Sequence, residues 1–295
     1  MKKVLITGGS GFIGHNLKEL LSTDFKIHAP TSKQLDLTNS DKVLSYLKKN
    51  KFDTVIHSAV YMVTRSSQKD PSKELRLNLR MFFNLTRCSK YFKRMIYFGS
   101  GAEYDMQNYI KKMDENYFDK NIPQDDYGFA KYISAKYIES LKNVYDLRLF
   151  GIFGKYEDWE IRFISNAICK VIYNMDITIK QNVYFDYLYV EDLAKVLIKL
   201  ININKIPFKH YNICTGKSID LLTIAKRIKA FSGKDIKIIV NKSGLKQEYS
   251  GNNKRILNLI GKFNFTPIEK SIEELHAWYL KNKKIINKKK LLLDK

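Results

Sequence analysis

Residues 2–14 read KKVLITGGSGFIG, and no other stretch of the chain constrains its fold so strongly. The apolar run Val4-Leu5-Ile6 stops at Thr7. Gly8, Gly11 and Gly14 follow at equal spacing, and Ile13, Leu17, Leu20 and Leu21 then recur at helical intervals. A buried strand, a tight glycine turn and a helix start form one unit. The glycines let backbone approach a phosphate closely, and the unpaired N–H groups and positive dipole end of the helix face that anion. Gly9-x-Gly11-x-x-Gly14 also fits the dinucleotide fingerprint, for which a strand before and a helix after are the required context.

Beyond this unit, runs of strand character alternate with runs of helical character. Strands are expected at Lys26–Ala29, Asp53–Ala59, Met95–Ser100 and Tyr145–Phe150. Helices are expected after Thr38 and over Pro71–Lys90 and Tyr127–Asn143. This alternation predicts an α/β fold with a Rossmann-type doubly wound parallel sheet. Residues 104–126 are polar and aromatic with little periodicity, and loops of that length are functional or mobile. After Phe150 the pattern becomes mixed: helices at Phe163–Tyr173, Asp192–Ile203, Leu221–Phe231, Asn253–Ile260 and Ile268–Leu280, and strands at Asn182–Tyr189, Tyr211–Cys214 and Ile236–Val240.

Composition narrows the class. The 295 residues are 44% hydrophobic and 13% aromatic, with 5 Pro and 14 Gly, as in a globular chain with a large core. No apolar run has the length of a membrane span, and the glycine turn interrupts what would be a secretion signal, so a cytoplasmic protein is expected. Cys88, Cys169 and Cys214 are far apart and odd in number, which suggests neither a disulfide framework nor a metal site. The formal net charge is +22, with lysines spread along the whole chain rather than gathered into a nucleic-acid stripe. The densest run, residues 281–295, carries seven Lys and one Asp and reads as a helix end and frayed tail.

Two further features suggest chemistry. The end of the second strand, Ala29-Pro30-Thr31-Ser32-Lys33-Gln34, has no carboxylate to accept from an adenosine ribose. Ser32 and Lys33 suit a 2′-phosphate, so NADP is expected, with NAD as the alternative. Tyr127 and Lys131 stand one helical turn apart, where a cation beside a phenol lowers its pKa for proton exchange. Ser100, at a strand's C-terminal end, is placed to hydrogen-bond a substrate oxygen. Tyr-x-x-x-Lys spacing alone is common in a chain with 19 Tyr and many Lys; the order of Gly turn, Ala59, Ser100 and Tyr127/Lys131 in one frame is not.

In that order the chain resembles the extended short-chain dehydrogenase/reductase family of nucleotide-sugar epimerases, dehydratases and reductases. The resemblance runs from about Lys3 to Leu280. It is carried by TGGSGFIG, DLT at Asp36–Thr38, DTVIHSAV, Asn78, FGSGAEY, YGFAK, FDYLYVEDLA from Phe185 and YNICTG from Tyr211. It implies cofactor contacts from Gly8, Gly11, Phe12, Ile13, Gly14, Asp36, Leu37, Ser58, Ala59, Asn78, Tyr127 and Lys131. Ser100 and Tyr127 would hold the sugar oxygen, with Tyr61, Glu103 and Arg162 as further substrate residues. It also implies a dinucleotide domain over 1–150 rejoined by 186–214, a substrate domain over 151–185 and 215–285, a basic tail over 286–295, and a homodimer. Dehydratases of the family follow the serine with an Asp-Glu pair, and GDP-fucose synthases place a cysteine two residues after it. Here these positions are Gly101 and Ala102. The family's diphosphate-binding arginine is Phe185 here, for which Arg162, Lys155 or Arg255 are possible substitutes. The expected function is therefore NADPH-dependent reduction of a nucleotide-linked 4-keto-6-deoxy sugar. An NAD-dependent nucleotide-sugar 4-epimerase is the alternative, ahead of a non-catalytic sensor.

Overall fold

The structure, a computed structural model, describes residues 1–64 and 67–291. Strand β1 (Lys3–Thr7) leads through the glycine turn into helix α1 (Phe12–Leu20). Then come β2 (Lys26–His28), α2 (Ser40–Asn50), β3 (Phe52–His57), α3 (Glu74–Thr86), β4 (Phe92–Ser100), α4 (Asp126–Ile138) and β5 (Val144–Leu149). The second half contributes β6 (Gly151–Phe153), α5 (Phe163–Ile172), β7 (Ile177–Asn182), β8 (Tyr184–Phe185), β9 (Tyr187–Tyr189), α6 (Val190–Asn202) and β10 (His210–Ile213). It ends with β11 (Ile219–Asp220), α7 (Leu221–Ser232), β12 (Ile238–Leu245), α8 (Lys254–Ile260), α9 (Ile268–Lys281) and α10 (Lys288–Leu291).

Six parallel strands form the main sheet in the order β10-β5-β4-β3-β1-β2. Side chains alternate across a strand, so Val4 and Ile6 pack on one face and Leu5 on the other. The first face is covered by α1, α6 and α8 through Leu17, Leu197 and Ile256. The second is covered by α2, α3 and α4 through Leu47, Phe82 and Ile138. Both faces are buried, which is why the central strands read as unbroken apolar runs. The chain steps from β1 outward to β2, then returns to build β3, β4, β5 and β10 on the other side. The order reverses between β1 and β3, and at such a switch point the crevice beyond the strand ends stays open for ligands.

A separate core gathers Ile168 of α5, Ile179 of β7, Ile228 of α7 and Leu275 of α9. Several local expectations need correction. The expected helix over Pro71–Lys90 is a 3-10 turn, Pro71–Lys73, followed by α3, which stops at Thr86. The helix expected to reach Asn143 ends at Ile138. The single strand expected over Asn182–Tyr189 is broken into pieces around Asp186. That buried carboxylate accepts from Thr215 N at 2.8 Å, Thr215 Oγ1 at 2.7 Å and Gly216 N at 2.8 Å. A buried carboxylate must find such donors, and meeting this need bends the strand. The loop over 104–126 is anchored at several buried points. Tyr104, Tyr109 and Met113 pack with Phe150 and Cys214, Met113 N donates to Ser250 O, and Glu115 accepts from Asn212 N. The basic end is docked as far as Leu291: Ile286 and Leu291 are buried in the second core and Lys290 pairs with Glu160 at 2.5 Å. The rest of the expected tail, 292–295, lies outside the described residues. Among the described residues no helix is long and apolar enough to cross a membrane.

The donor set around Asp186 gives a stability prediction. Asp186→Ala leaves the part-buried N–H groups of Thr215 and Gly216 without their acceptor and is expected to lower unfolding free energy by about 1–3 kcal/mol, read from the urea midpoint.

Candidate functional site: a dinucleotide cleft joined to a Ser-Tyr-Lys pocket

A cavity of about 710 Å³ opens over the ends of β1 and β3. Its floor is the glycine turn. Gly8 has φ +71°, and a Cβ there would lie 2.7 Å from the Ala59 backbone. Gly14 is tighter, since its Cβ would meet Gly8 O at 2.2 Å. Helix α1 therefore starts directly against the turn. Its N-cap, Gly11, has no side chain to satisfy the first N–H groups, and Phe12 and Ile13 line the cavity. A cradle with these exposed donors fits a dinucleotide diphosphate.

Most of the expected cofactor residues meet there. Gly8, Gly11, Phe12, Ile13, Ser32, Asp36, Leu37, Ser58 and Ala59 all line the cavity. Gly14 shapes it from behind. Lys33 is exposed and outside the lining. Asp36 turns inward to accept from Thr38 N at 2.9 Å and Thr38 Oγ1 at 2.7 Å, bonds that hold its carboxyl below the usual range. Sequence reasoning missed Arg80, which donates to Thr38 O at 2.6 Å and brings a cation to this end of the cleft. Asn78 acts through the loop: its Oδ1 accepts from Tyr61 N at 2.8 Å and its Nδ2 donates to Tyr61 O at 2.9 Å. Tyr61, expected at the substrate, lines this first cavity and not the pocket that holds Ser100.

A second cavity, about 510 Å³, contains Ser100, Tyr127, Lys131 and Arg162. The two cavities share Phe12, Ile13, Ser58, Met62, Glu157 and Arg162 in their walls. Ser100 ends β4 and caps the 3-10 turn that follows. Its Oγ accepts from Ala102 N at 3.2 Å; burial raises the pKa of the neighbouring Tyr127 and Tyr249 phenols, and the Ser100 side chain only partly opposes that rise. Asp125 caps α4 by accepting from Gly128 N, which fixes the helix that carries Tyr127 and Lys131.

Two expectations are corrected here. Lys131 Nζ donates to Phe98 O at 2.5 Å and stands 5.8 Å from the Tyr127 ring centre. Burial dominates both groups: it raises the Tyr127 pKa, against Ser100 and Arg162, and takes Lys131 down to about 8. The protein alone therefore does not acidify the phenol as Tyr-x-x-x-Lys spacing suggested. Glu103 is fully buried and absent from the pocket wall. It accepts from Ser100 N at 2.9 Å and Arg148 Nε at 2.6 Å, so it works beneath the serine and not on a ligand.

Of the three cations considered for a diphosphate, only Arg162 reaches this pocket. Lys155 pairs with Glu191 at 3.2 Å, and Arg255 bonds Asn116 at 2.7 Å, both outside the pocket wall. Tyr187, Tyr249 and Glu157 are wall residues that the sequence did not signal. Tyr249 arrives by a bridge to Phe185, more than sixty residues away in sequence. Burial pushes Glu157 up to about 8, and its Oε2 accepts from Ser165 at 2.7 Å. His57 is structural, bonded to Thr7 Oγ1 at 2.8 Å and held neutral by burial. The three cysteines are buried, and no group of candidate metal ligands occurs among the described residues.

Gly14→Ala is expected to force α1 off the glycine turn and weaken nicotinamide dinucleotide binding at least about tenfold. Gly11→Ala, whose Cβ meets only Gly8 O at 3.4 Å, should be milder. Fluorescence titration with NADPH checks both.

Comparison with known proteins agrees with this geometry. Residues 4–214 match the model of the "NAD dependent epimerase/dehydratase family". The chain is 25% identical to GDP-L-colitose synthase of Yersinia pseudotuberculosis, over 95% of this chain and 99% of that protein. It is 29% identical to a putative UDP-glucose 4-epimerase of Methanocaldococcus jannaschii, over 79% and 84% of the two chains. The NADP-bound GDP-mannoheptose C4 reductase of Campylobacter jejuni has the same fold, with TM-score 0.80 and 21% identity over 95% of this chain and 98% of that one. The chain belongs to the NAD-dependent epimerase/dehydratase family, within the extended short-chain dehydrogenases/reductases.

Proposed function

We propose that the protein reduces a nucleotide-linked 4-keto-6-deoxy sugar at C4 with NADPH. The observation that carries this reading is the shared wall of the two cavities, which opens Ser100 and Tyr127 directly onto the dinucleotide cleft. A bound nicotinamide supplies the hydride. Tyr127 gives its phenolic proton to the oxygen that develops negative charge at C4. Its raised pKa keeps it protonated until that charge appears. The Ser100 hydroxyl donates a hydrogen bond to the same oxygen and fixes the carbonyl. Lys131, held on Phe98 O, lines the same pocket and provides a positive field.

What is missing beside Ser100 supports simple reduction. Gly101 and Ala102 carry no group to remove water or exchange a proton at carbon, and Glu103 is turned away. A third cavity, about 480 Å³, adjoins the pocket through Phe163, Phe185 and Tyr249. Lys170, Lys180 and Lys246 line it, and we assign it to the nucleoside diphosphate, held by segments 151–185 and 215–285. The absence of a carboxylate on Ala29–Gln34 and the presence of Arg80 at Thr38 favour NADP over NAD. We assign the homodimer to the paired outer surfaces of α3 and α4, where Tyr137 is exposed beside Phe83.

The test is NADPH oxidation against a panel of 4-keto-6-deoxy nucleotide sugars. Tyr127→Phe is expected to lower kcat about 10²–10⁴-fold and leave NADPH affinity unchanged. If no such sugar oxidises NADPH, and the purified protein instead retains stoichiometric NAD and interconverts C4 epimers, the reductase reading is overturned.

A further inference from the structure

We propose that Glu103 and Asp146 share a single proton behind the catalytic strand, and that this carboxyl pair positions Ser100 while presenting one negative charge, not two, to Lys131. The assignment of a role in turnover rests on the reductase reading of Ser100, Tyr127 and Lys131.

The geometry around Gly99 carries the proposal. A Cβ on Gly99 would meet Asp146 Oδ1 at 2.1 Å and Glu103 Oε1 at 2.2 Å, so the two oxygens converge on the space that glycine leaves open. Three of the four carboxyl oxygens have clear partners. Glu103 Oε1 accepts from Ser100 N at 2.9 Å, and Glu103 Oε2 accepts from Arg148 Nε at 2.6 Å. Asp146 Oδ2 faces Arg148 Nε and His210 Nδ1, each at 3.1 Å. Asp146 Oδ1 has no donor, although the side chain is fully buried. A buried carboxylate oxygen against another is strongly unfavourable. One proton between Asp146 Oδ1 and Glu103 Oε1 turns that repulsion into a hydrogen bond, and the pair then titrates as a unit.

The charges facing the pair fit one retained proton. Among the described residues Arg148, from β5, is the only cation bonded to either carboxyl, and it serves both. Lys131, from α4, faces the pair through space while its Nζ is bonded to Phe98 O. His210, from β10, is held neutral by burial and by Arg148, with Glu139 Oε1 3.7 Å beyond its Nε2. Tyr97, Tyr104 and Tyr127 are neutral phenols raised by burial. Burial and the Asp146 charge push Glu103 up to about 8. Both carboxylates favour the charged form of Lys131, so a second full negative charge would make that lysine release its proton less readily.

The sign of the pH effect follows. A carboxyl that is protonated when folded and ionised when unfolded contributes stability at low pH, and that stability is lost as pH rises through about 8. Asp146→Asn is the diagnostic variant. Its amide N–H can donate to Glu103 Oε1, while its carbonyl takes over the Arg148 and His210 contacts. Infrared spectra of the full chain, titrated through about pH 8, read the protonated carboxyl directly. We expect Asp146→Asn to fold, to lose one carboxyl's share of the protonated-carboxyl band, and to keep the share of Glu157, also raised to about 8. Its Tm should lose part of the decline with rising pH, and the alkaline limb of its kcat profile should move to lower pH. An unchanged band overturns the proposal. So does failure of Asp146→Asn to fold, because the amide supplies every hydrogen bond of the protonated acid. The spectrum involves neither NADPH nor sugar, so its outcome is separate from that of the reductase assay.

Discussion

The guanidinium of Arg148 is completely buried, and that one charge organises the end of the sheet on which the site stands. A buried charge is tolerated only where partners surround it closely. Here Glu103 comes from the turn after β4, Asp146 from β5 itself, and the Tyr104 hydroxyl meets Nη1 at 2.8 Å. The Phe118 ring lies 4.1 Å from the guanidinium carbon. Tyr104 then bonds Asn212 of β10, and Asn212 holds Met113 and Glu115 of the long loop. A single buried charge thus ties β4, β5, β10 and residues 104–126 together. Ser100 inherits its position from this assembly.

The dinucleotide cleft depends on a different constraint, the packing of backbone against backbone. At the turn after β1 there is no room for a Cβ at Gly14, and Gly8 adopts a left-handed φ against Ala59. These contacts bring the start of α1 close to the switch between β1 and β3, where the sheet order leaves a crevice. The cleft and the Ser100 pocket then meet because Phe12 and Ile13, on the first turn of α1, and Arg162, at the start of α5, face both. The two cavities are joined directly by these shared walls.

The departures from the family pattern have physical consequences. With Gly101 and Ala102 in place of acid, base or thiol groups, Ser100 is the polar side chain that the end of β4 brings to the pocket wall. Phe185, where a diphosphate arginine is usual, contributes an aromatic wall between two cavities. Lys170 of α5, Lys180 of β7 and Lys246 after β12, distant in sequence, line the cavity beyond that wall.

The sequence by itself determined the alternation of strands and helices, the parallel sheet and the glycine turn. These are legible because periodicity and glycine placement are local properties that burial on both sheet faces enforces. Ser100, Tyr127 and Lys131 were legible for the same reason: each sits at a fixed offset from a strand end or helix cap. Tertiary structure alone decided what surrounds them. Tyr249 reaches the pocket through a bridge to Phe185, and Glu157 through the turn before α5. Glu103 looked like a ligand group beside the serine, yet a buried arginine on the next strand draws it under the floor. Lys131 looked like the agent that acidifies Tyr127, yet burial and a backbone carbonyl govern it. Spacing along the chain fixes which side chains share a face. Desolvation and long-range charge, which no local pattern encodes, fix what those side chains do.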